Sequence, residues 1–191
     1  DSLYAACQTD TGNQVGAYKD RQRFVYNALK THFPESEVQQ MATVKISNCG
    51  HDENGRYAGG KAGDQTGTEY QIMNWYSRPW LCVLRFEDKT IADMIADMAT
   101  KAAQNNHIGY DQGTVGNSND RYTFWQQLKA NGYDPAKIKK DCESDCSAST
   151  AAIIKGAGYR LGNAKLKAVS IYLTTYDMRQ ALKDVGAKVL T

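Results

Sequence analysis

The sequence predicts an α+β domain with modest strand content and helices dominating its later half. Two observations carry this. Residues 70–86, "YQIMNWYSRPWLCVLRF", have the aromatic and branched content of strands. Beyond them, Ile91, Met94, Ile95, Met98, Ala99 and Ala102 recur at the spacing of one helical face. At 191 residues and 41% hydrophobic side chains, the chain suits one domain with a real core.

The elements follow in order. Residues 20–29, "DRQRFVYNAL", place Phe24, Val25, Ala28 and Leu29 at helical spacing. After a break at "THFPESE", residues 36–44 read as a second short helix, so residues 1–44 form a helical extension and 45–191 the main domain. Residues 45–69, "KISNCGHDENGRYAGGKAGDQTGTE", make a long patterned loop, and such loops are functional or disordered. Pro79 breaks the strands that come next. Thr90 is positioned to cap the helix from Ile91, Asp93 sits where a capping box wants its acid, and Asn105-Asn106 end it. Further helices are expected over residues 121–130, from Cys146 to about Gly156 or Gly158, and over 175–185, with residues 170–173 strand-like.

A formal net charge of +2, from 23 basic and 21 acidic side chains, gives no argument for nucleic acid. No apolar run is long enough to span a bilayer, so membrane insertion is not expected. The start at Asp1 reads as a processed, trimmed or tag-cleaved product. Five cysteines (Cys7, Cys49, Cys82, Cys142 and Cys146) are too few for a disulfide scaffold, and setting one aside as a reactive thiol leaves four.

The stretch "CESDCSASTAAII" puts Cys146 in the first turn of a helix, with Asp145 or Ser144 available as a cap. A helix N-terminus favours a thiolate through its dipole and N–H groups, and those groups can also hold an oxyanion. This is the local architecture of thiol acyl transfer. Two other readings stand beside it: a Cys142–Cys146 pair, bridged or on a metal, and a buried structural cysteine. No further Cys or His follows at zinc-ligand spacing.

Four blocks occur in order: "DENGRYAGGKAGDQTGTE" (52–69), "NWYSRPW" (74–80), "IGYDQ" (108–112) and "ESDCSA" (143–148). With Asp145-Cys146-Ser147 in the last, the chain from residue 45 onward resembles a phage-associated branch of the NlpC-type cysteine peptidases. These are papain-like hydrolases of bacterial cell-wall peptide found as endolysins and tail lysins. The resemblance implies a cysteine-bearing helix packed on a small antiparallel sheet. It implies an amidase or endopeptidase acting on peptidoglycan outside the bacterial membrane through a thioester, with no cofactor or metal. Carried onto matching positions, it makes Cys146 the nucleophile and Tyr110 a hydroxyl that helps hold the oxyanion. Asp145 and Ser147 would shape the substrate site. The block with Lys61, Asp64, Gln65, Thr66 and Glu69 would bind substrate or shape the site, or else be a self-bonded loop.

The base is the open question. A cysteine peptidase normally uses histidine, which in the resembling family follows the cysteine on a strand, within a Gly-His stretch. Here His32, His51 and His107 all precede Cys146. Three expectations compete: the chain is a fragment lacking its last strands and its histidine, His51 reaches the site from the patterned loop, or the domain binds wall without cleaving it. His107, two residues before Gly109-Tyr110, reads more readily as a helix C-terminal residue facing the dipole. Two rival functions stay in view. One is a non-catalytic wall-binding phage module, in which Trp75, Tyr76, Trp80 and Arg78 could stack on sugars. The other is a toxin or effector using the same thiol on another amide.

Overall fold

The computed structural model describes residues 44–76, 81–113 and 120–190. The helices expected in the first 43 residues lie outside that range, as do Cys7, His32, Arg78, Pro79 and Trp80. The described elements run β1 (Lys45–Cys49), β2 (Tyr70–Asn74), β3 (Val83–Arg85), α1 (Lys89–Ala103), β4 (Ile108–Tyr110), α2 (Thr123–Ala130), β5 (Cys142–Ser144), α3 (Cys146–Leu161), α4 (Ala164–Lys167), α5 (Thr175–Asp184) and β6 (Lys188–Leu190). Short 3-10 turns at Asp120–Tyr122 and Pro135–Lys137 precede α2 and β5. The fold is α+β.

The described strands form three two-stranded sheets, β1–β2, β3–β6 and β4–β5. The β4–β5 pair is parallel, with Tyr110 opposite Ser144. The resemblance implied an antiparallel sheet under the cysteine helix. Here the strand feeding that helix is parallel to its partner, because the connection crosses over through α2.

By contact, the chain separates into two compact units. The larger comprises Ser47–Ile72 and Leu84–Lys188. Its first core cluster gathers Met98, Ile108, Phe124, Leu128, Ile138 and Ile153; a second gathers Ala151, Ile154, Leu166, Val169 and Leu182. Helix α3 belongs to both, packs against α1, α2 and α4, and is buried along most of its length. Among the described residues, the smaller unit takes in 44–46, 73–76, 81–83 and 189–190. In its described part, Trp75 N donates to Val44 O at 2.8 Å and Lys45 Nζ reaches Asn74 Oδ1.

Several boundaries differ from the sequence reading, each for a local reason. Asp88, not Thr90, caps α1: its Oδ1 accepts from Thr90 N at 2.8 Å and Ile91 N at 3.3 Å, while Asp93 pairs with Lys89 one turn away. Lys45–Cys49 is a strand rather than loop. Residues 170–173 are a turn with no partner strand, and Asn163 caps the short α4 through Leu166 N. Helix α3 does not stop at Gly156 or Gly158 but runs to Leu161, closed by Gly162 in the left-handed region at φ 68°. The two interior glycines are contact points. A Cβ on Gly156 would lie 2.8 Å from Met98 Cε, and one on Gly158 would lie 2.6 Å from Lys167 N.

The Gly158 contact yields a prediction. Gly158→Ala should lower stability in urea denaturation by about 1–3 kcal/mol through overpacking against the α4 backbone. This holds although alanine is favoured in a helix by ~1 kcal/mol.

Candidate active site

The site is built where β5 hands the chain to α3. Cys142, Glu143 and Ser144 are all buried, Asp145 is extended at φ −96° and ψ 177°, and Cys146 opens the helix. Asp145 is the cap: Oδ1 accepts from Ser147 N (2.8 Å), Ala148 N (2.7 Å) and Ser147 Oγ (2.7 Å). Its Oδ2 meets Arg121 Nη1 at 3.2 Å, so the buried carboxylate has a cationic partner. Cys142 is an unbridged thiol and buried, as is Cys49, whereas Cys146 is exposed. A Cys142–Cys146 bridge is therefore not formed. Strand β5 holds Cys142 inward, where its Sγ donates to His107 O at 3.4 Å.

Beneath the helix start lies a floor of neutral groups. Tyr110 on β4 is almost wholly buried; burial raises its hydroxyl well above the ordinary phenol range, and a thiolate on Cys146 pushes the same way. Cys49 ends β1 with its Sγ 3.4 Å from Ser144 O. Burial, then the charges on Cys146 and Asp145, raise its thiol well above the usual value. Burial likewise raises Tyr70.

The patterned loop is wound on carboxylates. Asp64 Oδ1 accepts from Thr66 N (3.0 Å), Gly67 N (2.6 Å) and Thr68 N (3.2 Å), and Oδ2 from Glu69 N (3.1 Å) and Tyr70 N (3.2 Å). Gln65 Nε2 donates to Ala62 O and Gly63 O. Glu69 is fully buried and fastens the loop to the site: Oε1 accepts from Gln65 N and Oε2 from Tyr110 N, each at 3.0 Å. Gly109 permits this approach, since a Cβ there would lie 2.4 Å from Gly63 O. The side chains of Asp64, Gln65 and Glu69 thus make the loop's internal bonds, and Lys61 joins through its backbone N–H to the Glu53 carboxylate.

The histidines stand apart in character. His51 is half-buried, and its Nδ1 donates to Asp52 O at 2.8 Å, which leaves Nε2 as the ring acceptor. His107 lies beyond Ala103, the last residue of α1, and pairs through Nδ1 with Asp141 Oδ1 at 2.7 Å.

The sequence reading did not single out Cys49, Tyr70, Arg121 or the carboxylates around β5. Glu143 is buried, and its carboxylate lies with those of Asp111 and Asp120, an oxygen from each within 4.8 Å of the others. Burial first, then Asp111 and Asp120, push Glu143 up to about 7. Only its place in "ESDCSA" hinted at it.

Exposure and burial separate the thiols chemically. Iodoacetamide at neutral pH should label Cys146 well ahead of Cys49 and Cys142, whose thiol burial raises to about 12. Peptide mass spectrometry of a short alkylation course reads the order directly.

No helix among the described residues is long and apolar enough to cross a membrane. The chain finds no match among the curated proteins or the solved structures. The family model described as "endolysin-like domain" matches residues 46–191, which takes in every site element above. The chain belongs to the endolysin-like domain family.

Proposed function

We propose that this domain is a thiol hydrolase of bacterial peptidoglycan, a papain-like enzyme of the NlpC type acting through Cys146. The endolysin-like family points to a phage-type lytic role at the cell wall. The observation that carries the finer reading is the exposed Cys146 thiol at the first position of the capped, buried helix α3. There the helix dipole favours the thiolate.

In this reading the Cys146 thiolate attacks an amide carbonyl of the wall peptide. The carbonyl oxygen gathers negative charge, and Tyr110, kept protonated by burial, supplies a hydroxyl toward it. The amine leaves with a proton, and the acyl group stays on sulfur as a thioester that water hydrolyses. His51 is the base within this chain. Its Nδ1 donation presents the Nε2 lone pair, and it lies two residues beyond Cys49, whose sulfur contacts Ser144 O. Asp145 and Ser147 set the thiol's position, and Asp64, Gln65 and Glu69 shape the loop wall beside the substrate. The amide cut is either the sugar–peptide link of an amidase or a peptide bond of an endopeptidase.

Mass spectrometry of muropeptides released from purified sacculi tests this. The chain should release products whose masses name the bond, and Cys146→Ala should release none. His51→Ala should reduce the rate about 10²–10⁴-fold. Release undiminished in Cys146→Ala would end the thiol mechanism; release undiminished in His51→Ala would leave the nucleophile but remove this base.

A further inference from the structure

Asp111, Asp120 and Glu143 bring one carboxylate oxygen each within 4.8 Å of the others beside β5. Asp52, Asp64 and Glu69 each accept backbone N–H groups inside the loop. Glu143 exposes 6% of its surface, and its Oε1 has no hydrogen-bond partner. A buried carboxylate oxygen left unpaired is costly. The carboxylates of Asp111 and Asp120 lie beside that of Glu143, an oxygen of each within 4.8 Å of one of its own. Asp120 is followed directly by Arg121. Arg121 itself is committed to Asp145.

We propose that Asp111, Asp120 and Glu143 form a binding site for a hard divalent cation, of which Ca²⁺ is the best fit. Three carboxylates with oxygens within 4.8 Å can ligate one ion together. An all-oxygen, anionic donor set selects against soft metals. Asp111 keeps ligating capacity although its oxygens accept from Gly59 N (3.2 Å) and Gly113 N (2.5 Å), because a carboxylate offers about four lone-pair sites.

The ion would be a brace rather than a participant in the thiol chemistry. Asp111 follows Tyr110 on β4, Glu143 lies on β5 three residues before Cys146, and Asp120 adjoins Arg121, which pairs with the Asp145 cap. One cation would therefore tie together β4, β5 and the turn leading into α2.

The test uses the whole chain and needs no substrate, so it stands or falls apart from the hydrolase reading. Scanning fluorimetry compares Ca²⁺ with EDTA, and Tb³⁺ luminescence, sensitised by nearby aromatic rings, reports occupancy. At about 100 times the dissociation constant, Ca²⁺ should raise Tm by roughly 5–10 °C. Glu143→Gln should abolish both signals, yet in EDTA be at least as stable as the parent, because it removes the uncompensated charge. Asp120→Asn, at a half-buried turn, should weaken Ca²⁺ binding at least about tenfold and serves if the first variant folds poorly. A parent chain with no Tm shift and no Tb³⁺ signal would overturn the proposal. So would signals that survive in both variants.

Discussion

The carboxylate of Asp145 is the constraint on which the site depends. One oxygen gathers the first free amides of α3, and the other meets Arg121 in the turn before α2. An aspartate at an N-cap satisfies donors that the helix cannot satisfy for itself. This one is 3% exposed, so its charge is compensated from within. That single side chain fixes where the helix begins, and hence which residue emerges first from the buried strand.

Around this cap the protein uses carboxylates to order backbone that has little apolar surface of its own. Asp64 collects five backbone N–H groups from one loop, and Glu69 joins that loop to Tyr110, 41 residues away. Gly-rich chain has no large side chains to pack, so hydrogen bonds to buried acids define its path instead. The apolar clusters draw on α1, α2 and α3, and the first also takes in Cys49, Tyr70, Ile108, Tyr110 and Cys142 beside the loop. The strands β4 and β5, three residues each, are too short to stand alone and are held between these two systems.

What was legible in the sequence was what is local. The α1 stripe, the α2 stop at Asn131 and the helix opening at Cys146 all rest on neighbours within a turn or two. The strands β4 and β5 were not legible, because both are buried throughout and show no alternation that would mark a face. Gly156 and Gly158 read as helix ends because a glycine's sequence context does not reveal a close neighbour; Met98 and Lys167 supply the reason. In the site, Cys146 and its cap could be read from one short segment. Cys49 could not, since its relation to Ser144 spans 95 residues. The turn-forming Asp and Thr of the patterned loop were recognisable, but the reach of Glu69 to β4 was not.

The central claim is that the capped helix start makes Cys146 a covalent nucleophile. Its most direct test is intact-mass spectrometry of the chain, acid-quenched during incubation with soluble muropeptides and then mapped by peptide digestion. The account predicts an acyl adduct on the peptide containing Cys146, labile to hydroxylamine as a thioester is. Turnover of muropeptides with no adduct at Cys146, at any quench time, would contradict it.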